Sequence, residues 1–178
     1  GLPATSTFQL YKPEDARRGL DRSVAIDYYL KQPAQKVTMA FLDAQGKTIR
    51  TFTGTPADAE RKPPSPGDDD GPRRPPEPHP AVSAGLHRLT WDMRYPGATD
   101  FPGLVMWAAS ARGPIAPPGT YQVRVTADAE TATQPFAITR EPRLLKDVSD
   151  QDLQEEFDLA MRVRDKSSQA NEAVLLVR

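Results

Sequence analysis

Few residues in this chain have a type and spacing that could support chemistry. The clearest candidate is Trp91-Asp92-Met93-Arg94, where a carboxylate and a guanidinium stand two positions apart beside a large aromatic ring. A carboxylate acting as a general acid or base needs a second acid or a histidine within reach, and none can be placed beside Asp92 from the sequence. We therefore interpret Asp92 and Arg94 as an ion pair on the exposed face of a strand, and Trp91 as a buried anchor between two sheets.

The other reactive side chains do not form a recognisable site. His79 and His87 lack a metal-ligand spacing, and Asp68-Asp69-Asp70 places carboxylates on consecutive residues, whereas a calcium loop uses alternate positions. There is no cysteine, no serine elbow and no phosphate-binding glycine motif. The sequence predicts no catalytic residue, no metal site and no cofactor, and we expect this chain not to be an enzyme.

Charge and hydropathy exclude two classes of partner. The 178 residues include 23 basic and 24 acidic side chains, for a net charge of −1, so a nucleic-acid partner is not predicted. No apolar run approaches the roughly 20 residues that span a bilayer. The chain begins with Gly1 rather than Met and stops within an apolar pattern at 174–178. We expect it to be a fragment of a longer protein.

The elements that must position any site are mainly strands. Apolar and polar residues alternate in short runs separated by turn residues, which is typical of a β-sandwich. We predict an immunoglobulin- or fibronectin-III-like β-sandwich over residues 1–140, followed by a linker and helix over 141–178. The predicted strands are Phe8–Tyr11, Ser23–Leu30, Val37–Leu42, Lys47–Phe52, Leu86–Asp92, Thr120–Ala127 and Thr131–Thr139.

A proline-rich stretch interrupts this pattern. Residues 53–83 contain nine prolines and few side chains that could enter a core. Because proline fixes φ and removes a backbone donor, we predict a flexible, partly polyproline-II insertion in the sandwich.

The C-terminal segment has a helical period. Ser149 and Asp152 have the spacing of an N-cap and a first-turn acid, and neither proline nor glycine follows. The apolar residues of this helix form two patches, which is more than the usual single stripe. One patch, formed by Leu153, Phe157, Ala160 and Met161, can cover the sandwich. The second patch is predicted to be an interface with further chain or another protein, formed by Leu159, Val163, Ala170, Val174 and Val177.

An irregular apolar segment lies between two of the predicted strands. It includes Tyr95, Phe101, Met106 and Trp107. Two interpretations stay open: the segment folds back and plugs one end of the sandwich, or its aromatic rings form a binding face for sugar rings or for a protein.

Several segments together resemble a known bacterial family. They are Phe8–Pro13, Ala25–Leu30, Leu42–Gly46, Ala84–Pro96, Pro117–Val125 and the Leu153–Arg164 helix. They are similar to the C-terminal region of large exported proteins that carry sortilin/Vps10-like, BNR-repeat β-propellers and are often labelled glycosyl hydrolases. The G-x-x-x-x-x-W-D and P-G-x-Y-x-V segments also resemble the immunoglobulin-like domain of the flagellar hook-capping protein.

This resemblance implies a periplasmic or extracellular location and a role beside a propeller. We expect a non-catalytic accessory domain that packs against an adjacent β-propeller or mediates assembly, with homo-oligomers through the C-terminal helix as a further possibility. The alternatives are a carbohydrate-binding module that uses the loop aromatics, and part of a hydrolase whose active site lies in another domain. The resemblance transfers no catalytic residue to this chain.

Overall fold

Alternating apolar residues form strands where the sequence predicts them. A computed structural model describes residues 7–19, 21, 23–59, 77–101, 104, 112–144 and 146–177. Within these ranges a 3₁₀ turn at Pro142–Leu144 precedes the last helix, and the elements are, in chain order, β1 (Phe8–Leu10), β2 (Ala16–Arg18), β3 (Val24–Leu30), β4 (Val37–Leu42), β5 (Thr48–Gly54), α1 (Pro56–Ala59), β6 (Gly85–Trp91), β7 (Gly119–Ala127), β8 (Glu130–Arg140) and α2 (Asp150–Val177).

Strand β3 illustrates why the alternation produces these elements. Val24, Ile26, Tyr28 and Leu30 are buried, and the residues between them are half-buried. Successive side chains of a strand point to opposite faces, so one face of β3 enters the core completely. The same period buries Val37, Met39 and Phe41 on β4, β7 buries alternate residues in the same way, and these strand predictions are confirmed.

The strands form two sheets. One has three strands in the order β1-β3-β6, and the other has five in the order β2-β8-β7-β4-β5. Strand β1 pairs antiparallel with β3, and β4 pairs antiparallel with both β5 and β7. The protein is therefore mainly β, with two sheets and a C-terminal helix, which is consistent with the predicted β-sandwich.

The chain divides into two compact units. The first comprises residues 1–13, 25–90 and 122–135, and its core includes Phe41, which packs edge-to-face on Phe52 with 5.9 Å between ring centroids. The second comprises residues 14–24, 91–121 and 136–178, and it contains Trp91, Tyr121, Phe136 and all of α2.

Strand β2 is absent from the sequence-based prediction. Its three residues pair in parallel with β8, and Ala16 lies opposite Ile138. The carboxylate of Asp15 accepts a hydrogen bond from the backbone N–H of Ala137 at 2.8 Å, and the carboxylate of Asp21 accepts one from the N–H of Arg17 at 2.6 Å. Two carboxylate–backbone hydrogen bonds thus hold β2, which at three residues is too short to show an alternation of apolar and polar residues.

The proline-rich insertion has structured ends. Strand β5 continues to Gly54, where a Cβ atom would lie 1.8 Å from the carbonyl oxygen of Pro80. His79 Nδ1 lies 2.9 Å from the carbonyl oxygen of Thr53, and the Tyr28 hydroxyl donates to the carbonyl of Ala81 at 2.8 Å. Specific contacts are therefore present within 53–59 and 77–83, and residues 60–76 of the predicted flexible insertion lie outside the described part.

Helix α2 begins where the capping residues predict. The backbone N–H of Asp152 donates to Ser149 Oγ at 3.1 Å, and Asp152 Oδ2 accepts from the N–H of Ser149 at 2.7 Å. These reciprocal bonds satisfy backbone donors that the first turn of a helix leaves unpaired. Hydrogen bonds from the backbone and side chain of Ser149 lower the pKa of Asp152 from its ordinary value. At 28 residues, the helix extends about 42 Å.

Candidate functional site

Trp91 is the anchor that the sequence predicts, and it lies at the end of β6. Its side chain is fully buried, and its ring meets those of Tyr121 and Phe136 edge-to-face, with centroids 6.2 and 6.3 Å away. The two partners belong to the five-stranded sheet, whereas Trp91 belongs to the three-stranded sheet. The indole therefore joins the two sheets, and its Nε1–H donates to the carbonyl of Arg94 at 3.1 Å.

The residues after Trp91 form a turn rather than the exposed face of a strand, so that prediction is wrong. Met93 has a φ of 56° and is buried, although bulky residues seldom adopt the left-handed region. Arg94 instead donates from Nη1 to the carbonyl of Gly113 at 2.8 Å, and Asp92 Oδ2 lies 3.9 Å from Arg112 Nη2. The turn thus directs the Arg94 side chain towards residue 113.

A short backbone pairing holds this turn against residues 113–116. The N–H of Tyr95 donates to the carbonyl of Pro114 at 2.9 Å, and the N–H of Ala116 donates to the carbonyl of Met93 at 2.7 Å. The approach is so close that a Cβ on Gly113 would lie 1.8 Å from the carbonyl oxygen of Tyr95. Glycine at 113 is therefore needed for the position of Arg94.

The predicted binding aromatics are only partly described. Tyr95 is half-buried and packs edge-to-face on Phe157 of α2, with 4.8 Å between ring centroids. Phe101 is half-buried, and its N–H donates to the carboxylate of Asp100 at 2.8 Å. Met106 and Trp107 lie outside the described residues. The Tyr95 ring is therefore engaged inside the protein, where it supports α2.

Polar contacts tie one face of α2 to the rest of its unit. They begin with ion pairs near its start and continue with hydrogen bonds along its second half. The bonded groups are Arg140 with Asp150 at 2.6 Å, Arg18 with Glu156 at 3.0 Å, Arg164 with the carbonyl of Pro96 at 3.3 Å, Thr99 with Ser168 at 3.0 Å, and Asn171 with the carbonyl of Thr99 at 2.6 Å. Phe157 is buried on the face that carries most of these groups, whereas Glu156 lies about 100° from it around the helix axis.

The predicted interface residues of α2 lie on a different face, which is exposed. Leu159, Val163 and Val177 expose 55%, 58% and 89% of their surface, and Ala170 and Val174 are exposed as well. We call these five residues the aliphatic face. At 100° per residue they lie within about 60° of one another around the helix axis. Leu176, also exposed, lies about 100° from Leu159 and Val177.

The second unit contains a cavity of about 590 Å³, which shares Leu159 and Val163 with this face. Its walls are largely apolar and include Ala98, Pro114, Ile115, Phe157, Leu159, Ala160 and Val163. Four arginines also line it, from β2, the turn after β6, residue 112 and α2: Arg18, Arg94, Arg112 and Arg164. Burial lowers the pKa of the Arg94 guanidinium, repulsion from Arg112 lowers it further, and Asp92 opposes the shift.

Sequence reasoning missed this arginine cluster. Consecutive members stand 18 to 76 positions apart in the sequence, and no motif connects them. Arg18 lies on the unpredicted strand β2, and Arg94 on the unpredicted turn. The cluster therefore depends on two local features with no periodic signal. The spacing of Phe157 and Arg164, which places both on one helix face, was the single clue.

The histidines have structural contacts. His87 Nε2 lies 2.6 Å from the carbonyl oxygen of Ser83, and its ring is 5.4 Å from that of Tyr28. Burial raises the pKa of Tyr28 to about 12, and its hydrogen bond to Ala81 opposes the shift. Among the described residues, no group of three or more histidines and acids is arranged to hold a metal ion.

Comparison of the sequence with models of known protein families finds no match, and a search of curated proteins finds none either. Within the described part of the chain, no helix has the length and hydropathy needed to cross a membrane.

Proposed function

We propose that this chain is a non-catalytic accessory domain of a larger exported bacterial protein, and that the aliphatic face of α2 packs against a neighbouring β-propeller. The single observation that supports this role is the exposure of that face. Helices of globular proteins bury one apolar stripe, whereas α2 carries a second stripe that nothing covers among the described residues.

The energy available from this face is sufficient for a domain contact. Leu159, Val163 and Val177 leave more than half of their surface in water. Removing the exposed part of the aliphatic face from water would contribute about 4 kcal/mol. Side chains of this size are rarely left as a contiguous exposed stripe unless they meet a partner.

We further propose that the sandwich is of the immunoglobulin or fibronectin-III type. Support comes from the antiparallel hairpins and from a buried tryptophan that contacts the opposite sheet, a feature of immunoglobulin domains. The segments that resemble the C-terminal region of propeller proteins include that tryptophan and the capped helix.

The carbohydrate-binding alternative is less well supported. A sugar-binding platform needs an aromatic face open to the ligand, and the Tyr95 ring instead packs on Phe157. A hydrolase with its active site in a further domain would leave this chain with the same accessory role.

Hydrogen exchange in the complete gene product tests the proposal. Amides of residues 159–177 should exchange more slowly in that protein than in this chain alone, because a docked partner suppresses opening of the helix. The substitutions Ala170→Glu and Val177→Glu should abolish the added protection. Leu176→Glu, which adds the same charge on another exposed face, should leave it unchanged.

Three results would overturn the proposal. Equal exchange in the two proteins would show that no domain covers α2. Protection that rises with the concentration of the isolated chain, together with a dimer in sedimentation, would identify a second copy as the partner. A gene product without a further domain would exclude an accessory role.

A further inference from the structure

The cavity in the second unit brings four guanidinium groups to one apolar pocket. Three of them are at least partly covered: those of Arg18 and Arg164 expose 11% and 20% of their side chains, and Arg94 is half-buried. Arginine heads are usually left in water, so covered ones indicate a specific use.

Carboxylates balance most of this charge. Three of the arginines each face one carboxylate. The fourth, Arg94, donates to the backbone carbonyl of Gly113. Among these pairs the Arg94 guanidinium has no carboxylate in direct contact, although the charge of Asp92 acts on it. The ion pairs are Arg18 with Glu156 at 3.0 Å, Arg112 with Asp92 at 3.9 Å and Arg164 with Asp165 at 2.6 Å.

Arg18 has unused hydrogen-bonding capacity. Its Nη2 donates to Glu156, whereas its Nε–H is buried and has no hydrogen-bond partner among the described residues. A carboxylate bonds arginine best through two parallel N–H groups, and a buried donor without a partner is costly. Glu156 is itself largely exposed, so it can turn away from this edge.

We propose that this cavity binds a small organic monocarboxylate with an apolar body. The carboxylate would lie against Arg18 and Arg94, and the body against Phe157 and Ile115, which line the same cavity. The volume of about 590 Å³ lies within the range of small-molecule pockets. A carboxylate can accept both parallel N–H groups of Arg18 once Glu156 turns away, and the apolar walls disfavour a hydrated phosphate. Leu159 and Val163 line this cavity and also belong to the aliphatic face, but the binding test uses this chain alone and needs no docked partner.

Calorimetric titration of this chain with benzoate, at low salt, tests the binding. We expect saturable binding at one site that weakens as sodium chloride is added, because guanidinium–carboxylate pairs are screened by salt. Benzamide, which has the same shape and no charge, should bind at least about tenfold more weakly. Absence of saturable benzoate binding, or equal binding of benzamide, would overturn the proposal.

Two substitutions test the role of Arg18 in opposite directions. Arg18→Lys keeps the charge but removes the planar fork, and it should weaken benzoate binding about tenfold. Glu156→Gln removes the competing carboxylate, and it should tighten binding, a gain that misfolding could not produce. Arg88→Gln, at an exposed ion pair of the other unit, is the matched control. Unchanged or weaker binding by Glu156→Gln would contradict the assignment.

Further probes identify the source of the carboxylate. Inorganic phosphate that binds as tightly as benzoate would overturn the requirement for an apolar body. A short peptide ending in phenylalanine that displaces benzoate, when its C-terminal amide does not, would assign the site to peptide ends. Displacement by free aliphatic acids alone would assign it to small acids, and either result supports the proposed chemistry.

Discussion

The indole Nε1–H of Trp91 donates to the carbonyl of Arg94, three residues further along the chain and 3.1 Å away. This bond connects the buried anchor of the three-stranded sheet to the turn that directs Arg94 into the cavity. The fold and the candidate site therefore share one hydrogen bond.

Trp91→Phe should destabilise the protein by about 2–4 kcal/mol. The substitution leaves space beside Tyr121 and Phe136 and leaves the partly buried carbonyl of Arg94 without its donor. Urea denaturation followed by circular dichroism measures the loss. Leu86→Ala, at an exposed position of the same strand, should change stability by less than about 0.5 kcal/mol, and equal losses would refute the anchoring role.

Gly113→Ala should cost about 1–3 kcal/mol and loosen the turn around Arg94, because the new Cβ would lie 1.8 Å from the carbonyl oxygen of Tyr95. Gly119→Ala is the control, since its Cβ would meet the Tyr121 ring at an ordinary 3.7 Å. Thermal unfolding of both variants measures the two losses of stability. If Gly113→Ala left the stability unchanged, the backbone at residue 113 could move away from that of Tyr95.

Tyr28 should make stability fall at alkaline pH. Its pKa is raised to about 12 by burial, whereas an unfolded tyrosine titrates near 10. The neutral form is favoured in the folded state, so its contribution is complete below about pH 10 and is lost as the pH rises towards 12. In ultraviolet titration, Tyr28 should remain mostly protonated at about pH 11, where a tyrosine of the unfolded protein is mostly ionised. Tyr28→Phe should remove this difference, and persistence would assign it to another tyrosine.

Ser149→Ala should destabilise the protein by about 1 kcal/mol, because the substitution removes the acceptor for the Asp152 N–H at the start of α2. Ser167→Ala, in the interior of the same helix, removes only a hydrogen bond to the carbonyl of Val163, and alanine is the better helix former. Chemical denaturation should show a loss for the first variant and no loss for the second. If Ser167→Ala lost stability and Ser149→Ala did not, Ser149 would not be the N-cap of α2.

The parts of the fold that follow a periodic pattern were predictable. The alternation in β3 buries Ile26 and Tyr28, and the capping residues at 149 and 152 start α2 at Asp150. Helical periodicity also separated Phe157, which is buried, from Leu159 and Val163, which are exposed. In each case the local pattern and the tertiary packing agree.

The parts that depend on distant partners were not predictable. Strand β2 exists because β8 offers an edge, and the turn at Met93 requires a φ of 56° that methionine does not signal. Arg18, Arg94 and Arg164 come together only when these features are in place. A sequence pattern describes the environment of one segment. The arginine cluster is assembled from four separate segments, because Arg112 also contributes.

The pairing of β2 with β8 has a consequence for the order of folding. The hydrogen bond between Asp15 and Ala137 joins residues 122 positions apart, and closing a loop of that length carries an entropic cost before any contact forms. Three residues cannot offset that cost by themselves. Strand β2 should therefore dock late, on a β8 that has already formed, and it should be among the first elements to detach when the protein unfolds.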